Sequence, residues 1–268
     1  MPAVDLARLA HQVEHVRAAV GDPATFRGRF LDLMALYADR TRRSRAETGP
    51  GLPVPSPVIK ALANGLAEET EAEPERAALV ADILWNLETR PARLIAVTLL
   101  RRQNPSDLLD RVLAWSDRTD DPEVLEQLAG PALAPVRSKQ PDSFLEAMAE
   151  LRRHFQHRRR AFALLALRSA VEDRAFQAVH RVLELVPPRS DQPIAEERRA
   201  LRELVVALGR RTPGETSRWL GEALSRKQAW AYPAAQAAVE ALPERSRRSL
   251  ERSLLAARAA GIISNHRD

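Results

Sequence analysis

The chain contains no cysteine, which excludes disulfides, thiolate chemistry and Cys-based zinc or iron–sulfur sites. Aromatic residues make up only 4% of it, too few to line a groove with stacking platforms for a single strand. Lysine is scarce: Lys60, Lys139 and Lys227 stand against a large complement of arginine. Long apolar runs are missing too. The stretch from Ala161 to Leu167 is among the longest, far short of the roughly 20 residues that a membrane span requires. No charged segment leading into an apolar core, as in a secretory signal, follows Met1, and the expectation is a cytoplasmic protein without a membrane partner. Gly-rich phosphate loops, nucleophile elbows, His-Glu-x-x-His pairs and Walker motifs are all absent from the sequence. His154 and His157 are spaced for one helix face, but arginines surround them and no third ligand accompanies them. No metal and no other cofactor is expected.

What the sequence does have is proline at the foot of one amphipathic segment after another: Pro74, Pro91, Pro105, Pro122, Pro141 and Pro213. Proline suits the first turn of a helix, where its missing N–H would have had no partner and its φ is already set. Apolar residues such as Leu79, Ile83, Leu84, Leu87 and Leu94, Val97, Leu100 recur at helical spacing, and no useful period-two alternation is found. Helices are expected near residues 3–20, 23–43, 56–69, 74–87, 91–103, 105–116, 122–138, 141–153, 157–171, 173–186, 194–211, 213–227, 232–241 and 243–260. Alternate starts at 74, 105, 141, 173 and 213 give a loose period in the mid-thirties, the mark of stacked helical pairs. The tetratricopeptide and ankyrin consensus residues are not present. The fold class expected is therefore all-α, a curved α-solenoid of about seven HEAT-like antiparallel helix pairs.

With 268 residues at 45% hydrophobic content, the chain can bury a sizeable core. A single repeat domain is expected over 1–268, with an N-terminal helical hairpin at 1–47, a Pro/Gly-rich linker at 48–57 and the main array at 58–268. A second interruption runs from Pro187 to Pro193.

Charge is divided unevenly. Residues 1–136 hold 16 Lys and Arg against 20 Asp and Glu, whereas 137–268 hold 25 against 16. The densest basic stretch is Arg152-Arg-His-Phe-Gln-His-Arg-Arg-Arg160, in which Leu151, Phe155, Phe162 and Leu165 are expected to face the core. Neutralising phosphates releases condensed counterions, and that is what such cation density serves. Further cations recur one or two repeats later, and a solenoid sets equivalent positions in register, so they are expected to form a stripe on duplex DNA. The residues expected on phosphate are Arg152, Arg153, His157, Arg158, Arg159, Arg160, Arg210, Arg211, Arg218, Arg226 and Lys227. Trp85 and Trp115 are expected in the core. Trp219 and Trp230 lie near basic residues, with packing the expectation for them as well.

Several stretches together resemble the DNA alkylation repair family of HEAT-like DNA glycosylases. They are Leu84-Trp85-x4-Arg90-x5-Ala96, Arg159-Arg-Ala161 with Leu164 and Leu165, Arg211-Thr-Pro213-x6-Leu220, and Tyr37-Ala-Asp-Arg followed by Gly51-Leu-Pro-Val-Pro-Ser-Pro57. The resemblance implies a solenoid gripping duplex DNA, and an enzyme that releases cationic N3- or N7-alkylpurines without a base-flipping pocket. A carboxylate would stabilise the sugar cation, an arginine would hold the backbone, and tryptophans would pack on the deoxyribose. Such a base is already a good leaving group, so electrostatic stabilisation supplies much of what remains. The family's carboxylate segment falls near Asp121-Pro-Glu-Val-Leu-Glu126, which makes Glu126 the catalytic candidate, and the family's arginine falls at Arg160. The tryptophan expected in that segment has no counterpart here, and the later one falls near Glu203 or Leu204, neither of them aromatic. The alternative function is a non-catalytic scaffold that holds an acidic protein partner.

Overall fold

A computed structural model describes residues 5–38, 54–101, 104–187 and 193–260. Most of the expected linker, 48–53, lies outside those residues, as do Asp39, Arg40, Gly51 to Pro53 and the segment 188–192. All regular structure among the described residues is helical, and no helix there is long and apolar enough to cross a membrane. By its contacts the chain divides into two compact units, Met1–Leu133 and Ala134–Asp268. The division falls inside the stretch expected to be the main array.

The first unit contains α1 (Leu6–Arg17), α2 (Pro23–Tyr37), α3 (Ser56–Glu69), α4 (Pro74–Trp85), α5 (Arg90–Leu100), α6 (Pro105–Ser116), α7 (Pro122–Gln127) and a π turn over Leu128–Ala132. Proline opens the first turn in every one from α2 to α7, as the sequence predicts. Helix α1 packs on α3, α3 on α5 and α5 on α7, while α2 packs on α4. Each helix thus meets the next but one, which is how a helical solenoid buries its apolar faces. The N-terminal hairpin belongs to this stack and is not set apart from it. Gly65 marks how closely α3 approaches α1: a Cβ there would sit 2.6 Å from Val13 Cγ1. Trp85 and Trp115 are buried and stacked, their rings 4.2 Å apart and 9° from parallel, and the Arg93 guanidinium covers Trp85 at 4.8 Å.

Two expectations about this unit are corrected. Leu79 is half-exposed, and the buried stripe of α4 is Ala77, Val80, Ala81 and Leu84, one position round from the expected one. The single helix expected over 122–138 is broken. Pro131 cannot donate to the ladder and its ring crowds the carbonyl four residues back, and the backbone widens to a π turn over Leu128–Ala132 before helix resumes at Ala134.

The second unit contains α8 (Ala134–Lys139), α9 (Pro141–Arg153), α10 (His157–Glu172), α11 (Val179–Leu185), α12 (Ala195–Arg211), α13 (Pro213–Ser225), α14 (Ala231–Val239) and α15 (Glu244–Ala259). One layer runs α10, α12, α14; on the other side α9 packs on α11 and α13 on α15. The helix expected from 173 begins only at Val179. Asp173 Oδ1 instead accepts the Ala175 amide at 2.9 Å, and the turn buries Phe176 edge-on against Phe144.

Candidate nucleic-acid interface

Three charged residues occupy positions in apolar stripes of the second unit. In α9 the stripe reads Leu145, Met148, Arg152; in α10 it is Arg160, Ala163, Leu164, Leu167; in α12 it is Glu197, Ala200, Leu201, Leu204. The three meet. Glu197 is only 1% exposed, and Arg152 and Arg160 are 5% and 9% exposed. Glu197 Oε1 accepts from Arg152 Nη1 at 2.8 Å, and Oε2 accepts from Arg160 Nε and Nη2, both at 3.0 Å.

One carboxylate between two guanidinium groups leaves a surplus positive charge, and backbone carbonyls take it up. Arg152 donates to the carbonyls of Leu185, Val186 and Pro187 at 3.0–3.1 Å, at the C-terminal end of α11 and just after it. Arg160 donates to the carbonyls of His154 and Phe155 at 3.0 and 2.8 Å. Burial draws the Arg152 guanidinium below the usual arginine range, against the pull of Glu197. Arg152 and Arg160 are therefore interior residues whose donors are taken up within the protein. Their expected place on phosphate is corrected: they position the α9–α10 turn.

On that pinned turn Arg153 and His157 are exposed, and Arg158 and Arg159 half-buried. His154 Nδ1 accepts the Gln156 amide at 3.1 Å, and its ring stacks on Phe155 at 4.5 Å. Phe155, expected in the core, is 73% exposed. The first turn of α10 holds no acidic residue and has no side-chain cap. Its cations thus crowd the positive end of the helix dipole, where an anion is favoured.

Helix direction decides which of the other cations join this turn. Arg160 meets Glu197 and, further along, Arg168 meets Glu203, so α10 and α12 run parallel with their N-termini together. Gly209 of α12 faces Ala241 and Leu242 just beyond α14, and α14 packs along α12, which brings the N-terminus of α14 to the same end. One rim therefore collects Arg153, His157, Arg158 and Arg159, the exposed Arg198 and Arg199 at the start of α12, and the exposed Arg226 and Lys227 just before α14.

Arg210 and Arg211 are at the other end of the 17-residue α12, about 24 Å from its start at about 1.5 Å per residue. Arg211 Nη2 donates there to the Arg174 carbonyl at 2.9 Å. Arg218 is exposed midway along α13. The expected single stripe is corrected to two basic ends. Arg198 and Arg199 belong to the recurring cations from which the stripe was expected, and they lie beside Glu197 in the first turn of α12.

Trp230 is buried and Trp219 half-buried, their rings 5.2 Å apart, which is packing. Glu126 is half-buried in the last turn of α7, in the first unit. Among the described residues no three His, Asp or Glu are grouped as metal ligands would be.

No curated protein and no solved structure gives a match. The family described as DNA alkylation repair enzyme does match, over residues 34–238, and takes in helices of both units. With that match running through most of its length, the chain belongs to the DNA alkylation repair enzyme family.

Proposed function

We propose that the chain is a HEAT-like repeat protein that binds duplex DNA along the basic rim of its second unit and excises cationic alkylated bases. The observation that carries the binding is the rim itself: parallel α10, α12 and α14 present arginines from three successive turns at one end, on a turn pinned by Glu197. Spaced cations on a rigid edge suit a phosphate backbone. Family membership supports the repair role. The resemblance supplies the chemistry, in which a carboxylate steadies the sugar cation as the base leaves, and Glu126 is the carboxylate to test.

Anisotropy of a labelled duplex, followed from about 50 to about 200 mM salt, tests the binding. Affinity is expected to fall steeply, and the Arg158→Ala, Arg159→Ala double variant to lower the slope by about two. Salt-independent binding, or none at about 50 mM, rejects the proposal. For excision, alkylated duplex is incubated with the protein and free bases are assayed. Release that disappears in Glu126→Gln while DNA binding persists supports the assignment. Absence of release from wild type leaves a binder, and undiminished release by the variant moves the chemistry to another residue.

A further inference from the structure

We propose that Phe155 stacks on a nucleobase that has lost its place in the duplex, and so gives the rim a preference for distorted sites. The inference rests on the reading of the rim as a DNA-binding surface. Phe155 is 73% exposed, and a phenyl ring so placed leaves most of its apolar area in water. That cost is unusual in a chain with 4% aromatic residues, most of them buried. Nor is the ring on a loose loop. Arg160 binds the carbonyls of both His154 and Phe155, Glu197 fixes Arg160, and the His154 ring stacks on Phe155 at 4.5 Å and 28°.

A side chain held in this way has little ordering entropy left to lose on binding. Around it stand Arg153, His157, Arg158 and Arg159. The three arginines bring phosphate close to the turn that carries the exposed ring. A paired base offers only its edge to a protein, but an unpaired or bulged one offers a π face, and any base stacks on an aromatic ring. Chemistry thus selects the partner: a single displaced base in an otherwise double-stranded backbone. An extended single strand would need several such rings in a row.

The test uses the full chain and two labelled duplexes, one fully paired and one with a single bulged 2-aminopurine. Wild type is expected to favour the bulged duplex and to change the 2-aminopurine fluorescence on binding. Phe155→Ala should lose about tenfold in affinity for the bulged duplex, lose the fluorescence change, and keep both its affinity for the paired duplex and its salt slope. Phe155→Trp should retain the preference. Because the ring is exposed, the melting temperature of each variant should match wild type, which separates lost stacking from lost structure. Equal affinity of wild type for both duplexes, or a Phe155→Ala variant that keeps preference and signal, overturns the stacking while leaving the rim's DNA binding intact. Failure of wild type to bind either duplex overturns both.

Discussion

Glu197 holds together the turn on which the functional proposal stands. It is the shared carboxylate of Arg152 and Arg160, and it has almost no contact with solvent. Removing one partner from such a cluster leaves uncompensated charge in the interior, so Glu197→Ala is expected to destabilise the protein by about 3–5 kcal/mol. Urea denaturation monitored by circular dichroism measures it, and a loss below about 1 kcal/mol would show that the two arginines find water or other acceptors instead. The cluster was written in the sequence but hidden by its neighbours. Arg152 and Arg160 read as members of a basic run because Arg153, Arg158 and Arg159 flank them, yet only those two fall on apolar stripe positions. Phe155 erred the other way. Its hydrophobicity pointed inward, but it lies in the turn after α9 has ended, where helical spacing no longer governs which way a side chain faces.

At the scale of the element, proline made most helices legible. The ranges 56–69, 105–116 and 141–153 expected from the sequence coincide with α3, α6 and α9, because a first-turn proline fixes the start and an apolar stripe carries the helix onward. Where proline lies inside a stripe the same residue misleads, and Pro131 turns an expected continuous helix into a π turn. Packing between elements was less readable still, since spacing along one helix does not tell which neighbour it meets. Gly65 is an instance: its place in α3 looks like a weakness in propensity, but α1 comes so near that a Cβ would meet Val13 Cγ1 at 2.6 Å. Gly65→Ala gains helix propensity yet forces α1 and α3 apart, and the expected result is a net loss of about 1–3 kcal/mol. Adding Val13→Ala removes the offending methyl groups, so the double variant should recover part of the loss that Gly65→Ala causes alone. A Gly65→Ala protein that melts at or above wild type would show that the α1–α3 contact yields easily.

Across the whole molecule, charge follows the division into units. Residues 134–136 carry no charge, so the unit Ala134–Asp268 holds the same 25 Lys and Arg against 16 Asp and Glu as the C-terminal half read from the sequence, while Met1–Leu133 holds 16 against 20. Long-range attraction to a polyanion therefore belongs to the second unit. That asymmetry could be counted from the sequence, but the direction of each helix could not. Parallel α10, α12 and α14 split the cations into a rim with Arg158, Arg159, Arg226 and Lys227 and an opposite end with Arg210 and Arg211. On the proposed reading, a duplex lying across the rim would touch the first set and leave the second in solvent. The Arg226→Ala, Lys227→Ala pair is then expected to lower the salt slope by about two, in addition to the loss from Arg158→Ala, Arg159→Ala. The Arg210→Ala, Arg211→Ala pair removes equal formal charge from the same unit and should weaken binding only slightly, with the slope unchanged. Measured on the full chain over the same salt range, the two pairs separate position from net charge. If both pairs flatten the slope equally, DNA runs along the helices from end to end, and the rim loses its place as the binding edge.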